Sequence, residues 1–160
     1  MLQFYYRFVA PYHSILELGR IDTVMRLIET QFSLYVGDCW EHLCRQYVSG
    51  NEIDGIIYNM ASRWWGKIFP NDNKEGTMIE LDIVAESFDK KHILIGECKW
   101  TNGEDAQRLA HSLSEKAQSL PFVKREQQVH LVLFLKRTPE HPEACLLYTS
   151  DAADDLIGVD

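Results

Sequence analysis

The sequence predicts an α/β fold in which a mixed sheet of roughly four strands lies between helices. Two short apolar runs, 79–85 and 92–100, flank a polar turn, which is typical of a β-hairpin. A helical pattern follows over 101–120 and leads into a near-continuous apolar run at 129–135, typical of a strand covered on both faces. A hairpin followed by a strand–helix–strand crossover gives a sheet with antiparallel and parallel pairs.

The first third of the chain is predicted to be mainly helical. Apolar residues recur at helical spacing over 20–34, and a second helix is expected over about 36–48, with Gly37 as an interruption. The aromatic stretch 1–9 stops at Pro11, and we expect it to be the end of a longer upstream chain. An edge strand and a docking segment are the alternatives.

The remaining elements follow from turn and strand signals. The segment 52–61 is ambiguous, 64–68 is an aromatic strand, and 70–76 is a loop rich in Asn, Asp and Gly. The third helix is expected to be capped by Thr101 or Asn102 and closed by Pro121. The predicted order is therefore α-β-β-β-α-β.

A chain of 160 residues is expected to form one main domain. We place it at 20–138, with 1–19 as a lead-in from a missing upstream domain and 139–160 as an acidic tail. The tail from about Cys145 resembles a translated sequencing adapter and is expected to be non-native, so it carries no functional weight.

The net charge of −8 excludes a generally basic nucleic-acid binder, yet it is unevenly distributed. After Thr138 there are six acidic residues and no Lys or Arg, whereas the rest of the chain is close to neutral. A near-neutral domain with a local metal site can still approach phosphates.

The cysteine count and the lengths of the apolar runs indicate where in the cell the protein is expected. The four cysteines form no CxxC pair and match no zinc spacing, so buried, reduced thiols are expected. No apolar run approaches the roughly 20 residues of a membrane helix, and the first residues lack the pattern of a signal peptide. We therefore expect an intracellular, cytoplasmic protein with no membrane partner.

The two strands of the hairpin carry charges that a buried strand should not. Because side chains alternate along a strand, Ile79, Leu81 and Ile83 are expected on one face and Asp82 on the other. Glu97 and Lys99 share a face of the second strand, and the hairpin brings Asp82 near them. Such charges are costly unless they are paired or bound to metal.

Two carboxylates and an ammonium at one point predict a metal-assisted phosphate site. Hydrolysis of a phosphodiester needs a divalent cation held by hard oxygens, which suits Asp82 and Glu97 with Mg²⁺. The backbone carbonyl of Cys98 is a further candidate ligand, and Lys99 can orient the nucleophile or neutralise developing charge. The alternative is a cross-strand ion pair of Asp82 or Glu80 with Lys99 on a solvated face.

Together these residues resemble the PD-(D/E)xK, restriction-endonuclease-like superfamily. Within it, the chain resembles most closely the C-terminal domain of unknown function of archaeal-type AAA/STAND ATPases, and this likeness covers about residues 2–136. The motifs that carry it are 4–9 (FYYRFV), 18–20 (LGR), 64–67 (WWGK), 80–85 (ELDIVA) and 96–100 (GECKW).

The resemblance implies a restriction-endonuclease-like core over 20–138, with Mg²⁺ or Mn²⁺ as cofactor. It implies that Asp82 and Glu97 ligate the metal, that Lys99 assists catalysis, and that Glu41 is an auxiliary acid. Without the resemblance, Glu41 is expected to form an exposed pair with Arg45. Leu81 stands where many such nucleases have proline.

The resemblance also implies partners. Nucleic acid is the expected substrate, DNA in the first place, and an ATPase domain and a winged helix are expected upstream. The chain has no phosphate-binding loop with Gly-Lys-Ser/Thr, so no ATP site is expected in it. The alternatives are a catalytically inactive interaction or regulatory module of the ATPase, and plain structural ion pairs.

Other residues carry weaker signals. Arg63 and Lys67 are candidate nucleic-acid contacts, with solvated charges as the alternative. Trp64 and Trp65 are expected in the core rather than as base-stacking surfaces. The histidines show no paired ligand spacing, and Gly96 is explained equally by close backbone approach and by packing against a helix.

Overall fold

The computed structural model describes residues 2–69, 76–137 and 148–149. The chain divides into two compact units, Met1–Cys39 and Trp40–Asp160, and the expected domain limits at 19/20 and 138/139 stay predictions. The first unit begins with short helical segments, and the edge strand considered for 1–9 is therefore wrong. These segments are α1 (Leu2–Phe4), a π-helical turn (Tyr5–Val9), a 3-10 turn (Ala10–Tyr12) and α2 (His13–Glu17).

A single helix, α3 (Ile21–Val48), replaces the two helices predicted over 20–34 and 36–48. Gly37 lies inside it, where an added Cβ would meet nothing within 4 Å. A helix tolerates one interior glycine because the cost, about 1 kcal/mol, is small beside the hydrogen bonds that continue on either side. The part of α3 from Trp40 onward belongs to the second unit.

The second unit contains the sheet. Its elements are β1 (Glu52–Ile53), β2 (Ile56–Ile57), β3 (Ser62–Ile68), β4 (Thr77–Glu86), β5 (His92–Lys99), α4 (Ala106–Gln118), β6 (Gln128–Leu135) and β7 (Tyr148–Thr149). The ambiguous segment 52–61 thus holds the small β1–β2 hairpin. The main sheet has the order β3-β4-β5-β6-β7, in which β5 and β6 are parallel and the other neighbours antiparallel.

The sheet has a helix on each face, which confirms the predicted mixed α/β fold and its four strands β3–β6. One buried cluster joins Cys44 and Val48 of α3 to Ile83 of β4. The other joins Leu113 of α4 to Leu81 of β4. Because both faces are covered, the middle strands read as apolar runs rather than as alternating patterns.

A β-bulge in β4 changes which residues face which helix. Ser62 pairs with Val84 and Trp64 pairs with Leu81, so β4 holds one extra residue between these pairs. The extra residue reverses the alternation. Leu81 therefore packs in the cluster with α4 and Ile83 in the cluster with α3, and the prediction that both share one face is wrong.

The cap of α4 also differs from the prediction. The Asp105 side chain accepts a hydrogen bond from the Arg108 N–H at 3.0 Å, so the cap is Asp105 rather than Thr101 or Asn102. The helix ends at Gln118, three residues before Pro121. Except for Gly76, the predicted loop 70–76 lies outside the described residues, as does the expected tail apart from β7.

No helix in the part of the chain that the structure describes is long and apolar enough to cross a membrane.

Candidate functional site

Asp82 lies where the pairing of β4 with β5 stops. The ladder runs from Glu86–Ile93 to Ile83–Gly96, and the next residues of the two strands would be Asp82 and Glu97. There the Asp82 Oδ2 accepts a hydrogen bond from the Cys98 N–H at 2.8 Å. The Asp82 carboxylate thus takes the place of a backbone acceptor for the Cys98 N–H. It is held against residues 97–99, which carry the predicted Glu-x-Lys motif.

The environment of Asp82 disfavours its charged form. Burial raises the pKa of the Asp82 carboxyl above its ordinary value, and the charges of Glu97 and Glu41 add to this effect. The hydrogen bond from Cys98 and the charge of Lys99 oppose it. Asp82 therefore lies within electrostatic range of the three other residues predicted to act with it.

Gly96 allows the strands to come close just before Glu97. A Cβ at this position would lie 2.9 Å from Val132 Cγ1 and 3.1 Å from Ile83 Cβ. Both neighbours belong to adjacent strands, so close packing within the sheet, rather than against a helix, accounts for the glycine.

Glu97 is held by two lysines. Its Oε1 lies 2.6 Å from Lys99 Nζ and its Oε2 lies 3.3 Å from Lys116 Nζ, and its side chain is 13% exposed. Lys116 comes from α4 and was not predicted. The signal was the helical period, because Lys116 lies three residues after the core residue Leu113, on the side of α4 that faces the sheet.

Lys99 is kept charged by its neighbours. Burial alone would lower the pKa of Lys99, yet the hydrogen bond to Glu97 and the charges of Glu97, Asp82 and Glu104 raise it above its ordinary value. Lys99 can therefore stabilise negative charge, but it is poorly suited to remove a proton from water.

Glu41 belongs to an ionic network. It forms an ion pair with Arg63 of β3, and its Oε2 lies 3.5 Å from Arg45 NH1, which confirms the predicted pair with Arg45. The pair is not exposed as expected, because the Glu41 side chain is only 19% accessible. Arg45 also donates to the Asp82 carbonyl at 2.9 Å and so connects Glu41 to the bulge.

Arg63 connects the network to a further acid. Its Nε lies 3.1 Å from Glu80 Oε1, and the hydrogen bond to Glu41 raises the pKa of the guanidinium. We call the combined set the acid cluster. It contains the carboxylates Glu41, Glu80, Asp82 and Glu97 and the cationic side chains Arg45, Arg63, Lys99 and Lys116.

The chemistry of these donors fits a hard divalent cation. Asp82 and Glu97 offer carboxylate oxygens, the ligands that a hard divalent cation prefers. Among the described residues, no group of three or more His, Cys, Asp or Glu side chains has the arrangement of a complete metal site. A cation here would therefore be held by two carboxylates, with backbone oxygen or water supplying the remaining positions.

Two further residues named in the sequence analysis are Cys98 and Lys67. The Cys98 thiol is buried beside Cys44, and the hydrogen bond with Cys44, together with burial, raises its pKa, so the thiol is inert. Lys67 is exposed on β3 opposite Met78 and forms no ion pair among the residues that the structure describes.

The two tryptophans differ. Trp64 packs against Phe122, with ring centroids 5.0 Å apart, as predicted for a core residue. Trp65 is 68% exposed, so its predicted place in the core is wrong. The cause is the alternation of β3, which turns neighbouring side chains to opposite faces.

Two histidines meet away from the acid cluster. His92 Nδ1 lies 3.0 Å from His130 Nε2, and His130 is buried. The two histidines are far apart in the sequence, so their spacing did not predict the contact. The parallel pairing of β5 with β6 places Leu94 beside His130, and His92 lies two residues before Leu94 along β5. Burial, followed by the charge of His92, lowers the pKa of His130.

Comparison with known proteins identifies a family. No curated protein and no solved structure gives a significant match to the chain. The model of the family DUF234, described as archaea bacterial proteins of unknown function, matches residues 5–116. That span includes Glu41, Asp82, Glu97, Lys99 and Lys116. Because the match covers more than half of the sequence, the chain belongs to the DUF234 family.

Proposed function

We propose that the acid cluster is the active site of a Mg²⁺-dependent nuclease that hydrolyses a nucleic-acid phosphodiester, with water as nucleophile. The observation that carries this proposal is the hydrogen bond between Asp82 and the Cys98 N–H. It fixes a half-buried carboxylate beside Glu97 and Lys99 at the point where two strands stop pairing. The PD-(D/E)xK resemblance of the sequence points to the same residues.

In this proposal each residue has one task. Asp82 and Glu97 would hold the cation, with the Cys98 carbonyl as a third oxygen. Bound Mg²⁺ supplies Lewis acidity and a water of lowered pKa. Lys99, which stays protonated, neutralises charge on the phosphate oxygens, and Glu41 keeps Arg45 and Arg63 in place around the bulge.

A second candidate, an inactive interaction module, is favoured by the two lysines on Glu97. Both carboxylate oxygens are paired, so this acid is compensated without a metal ion. On the resemblance alone, we also propose that the chain is the C-terminal part of an ATPase with a winged helix. Reading the gene upstream for a phosphate-binding loop with Gly-Lys-Ser/Thr tests that proposal.

Cleavage of labelled DNA and RNA, with Mg²⁺ or Mn²⁺ and with a chelator, tests the nuclease. Asp82→Asn and Lys99→Ala should each lower the rate by about 10² or more, the cost of removing one electrostatic stabiliser. Glu115→Gln is the control, because this acid lies on α4 with its side chain 69% exposed. Equal cleavage by all four proteins would indicate a contaminating nuclease and contradict the proposal.

A further inference from the structure

β3 is the edge strand of the main sheet, and one of its faces is largely exposed. Trp64 and Ile68 point to the cluster with α4. The alternation of the strand therefore turns Arg63, Trp65 and Lys67 to the opposite face. On β4, Glu80 lies beside Trp65 and Met78 beside Lys67.

Two large apolar side chains are exposed on this face. Trp65 is 68% exposed and Met78 is 60% exposed, whereas Trp64, the neighbour of Trp65, packs in the core. A large aromatic side chain is costly to leave in water, and adjacent exposed apolar residues mark interaction sites. The Trp65 ring is therefore an aromatic surface that packing within the chain leaves open to solvent.

Cationic residues lie on both sides of the aromatic ring. Arg63 and Lys67 precede and follow Trp65 by two residues, so the three are spaced by about 7 Å along the strand. Arg63 shares its charge with Glu41 and Glu80, whereas Lys67 forms no ion pair among the described residues. An exposed aromatic ring beside a lysine can bind an unpaired nucleotide, because the ring stacks on the base and the ammonium attracts a phosphate.

The same face is continuous with the acid cluster. Arg63 belongs to both, because its guanidinium contacts Glu41 and lies 3.1 Å from Glu80. A strand of nucleic acid stacked on Trp65 would thus have its next phosphates close to Arg63 and the residues proposed for catalysis.

We propose that Arg63, Trp65, Lys67 and Met78 form a platform for a single-stranded nucleic acid, on which Trp65 stacks against one base. This inference rests on the proposed nuclease function and adds the strandedness of its substrate. A base-paired duplex is not a ligand for this platform, since its base faces are already stacked. A protein partner is the competing ligand for this face, and the binding experiment below distinguishes the two.

The platform is tested with the full chain and fluorescein-labelled oligo(dT), by fluorescence anisotropy at low salt in a chelator, where no cleavage occurs. Trp65→Ala should weaken binding by about 5- to 150-fold, the effect of losing one stacked base, while Trp65→Phe should retain most of it. Phe88→Ala is the matched control, because Phe88 is an aromatic residue that is 63% exposed in the turn between β4 and β5. A duplex of the same length should bind more weakly and with no dependence on Trp65.

Equal binding of oligo(dT) by wild type and Trp65→Ala would overturn the platform. So would a failure of the wild type to bind oligo(dT) at low salt, which would leave a protein partner as the ligand of this face. Binding and cleavage separate the two proposals. Trp65-dependent binding of oligo(dT) without any cleavage would support the platform and reject the nuclease, and cleavage without Trp65-dependent binding would do the reverse.

Discussion

The carboxylate of Asp82 accepts the backbone N–H of Cys98 at 2.8 Å, and this contact connects β4 to β5 where their ladder ends. The Asp82 side chain is half-buried, and loss of water is costly for a carboxylate. The structure tolerates this cost at a position where the sequence predicts a metal ligand. Natural proteins accept such local destabilisation mainly at functional sites.

The first prediction is that Asp82→Asn raises the thermal midpoint Tm. Because the pKa of Asp82 in the folded state is raised above 3.8, the folded state loses stability as the pH rises from 3.8 to that folded value, and the loss persists at higher pH. Asparagine keeps an acceptor for the Cys98 N–H and carries no charge. The gain in Tm should be present at neutral pH and disappear below about pH 4. Thermal unfolding followed by circular dichroism measures it.

Asp89 provides a control of opposite sign. Hydrogen bonds from the Ser87 hydroxyl and the Lys91 N–H lower the pKa of Asp89, so its stabilisation is present above 3.8 and lost as the pH falls through the folded value. Asp89→Asn should therefore lower Tm at neutral pH. A lower Tm for both variants would mean that the Asp82 carboxylate is a stabilising structural group.

The second prediction concerns two glycines that should respond in opposite ways to alanine. Gly96→Ala places a methyl group 2.9 Å from Val132 Cγ1 and should destabilise the fold by about 1–3 kcal/mol. Gly37→Ala adds a methyl group to the interior of α3 with nothing within 4 Å and should stabilise it by about 1 kcal/mol. Urea unfolding measures the free energy of unfolding of both variants. An equal change in the two would contradict the prediction and show that the strands at Gly96 can move apart to accept a methyl group.

These two positions also show what the sequence can and cannot predict. The hydrophobic periodicity was sufficient for α4 and the strands β3–β6 and for their order, because hydrophobic period determines which structure buries a segment. It did not show that 20–34 and 36–48 form one helix or that 52–61 holds the β1–β2 hairpin. The bulge was not predictable, because one extra residue leaves no signature in composition and yet moves Ile83 to the other face. The continuity of α3 through Gly37 depends on neighbouring residues rather than on the glycine itself.

Part of the candidate site was predictable because its signal is local. Asp82, Glu97 and Lys99 follow from charges within apolar strands. The helical period places Lys116 on the sheet side of α4, but its pairing with Glu97, like the bridge from Arg63 to Glu80, depends on how α4 and β3 pack. Trp65 was misplaced because its neighbour Trp64 takes the core position that either residue could have filled.

The third prediction is a loss of stability in weak acid through the histidine pair. The pKa of His130 is lowered by burial and by His92, so the unfolded chain binds the proton more readily than the folded one. Stability should therefore fall as the pH decreases below about 6.5, the pKa of an unfolded histidine. The urea midpoint, measured from pH 8 to pH 5, records this loss.

His130→Gln separates this effect from other titrations. The variant lacks the buried imidazole, so its urea midpoint should change less with pH over the same range, whatever its stability at pH 8. An unchanged slope would mean that other groups cause the acid sensitivity.

The fourth prediction is that Lys116 competes with a metal ion for Glu97. Lys116 Nζ lies 3.3 Å from Glu97 Oε2, an oxygen that would have to turn toward the cation. Lys116→Met removes this competing charge and should therefore raise the affinity for Mn²⁺ by about 10-fold, which corresponds to about 1.4 kcal/mol. Lys124→Met is the control, because Lys124 pairs with Glu86 at 3.8 Å, away from the acid cluster. A lower affinity in Lys116→Met would assign Lys116 to positioning Glu97.

Binding of Mn²⁺ to the chain, followed by the electron paramagnetic resonance of the free ion, tests most directly whether the acid cluster is a metal site. The account predicts a bound ion in the wild type, its loss in Asp82→Asn and Glu97→Gln, and its retention in Asp89→Asn. No bound Mn²⁺ in the wild type, or equal binding by all four proteins, would contradict it.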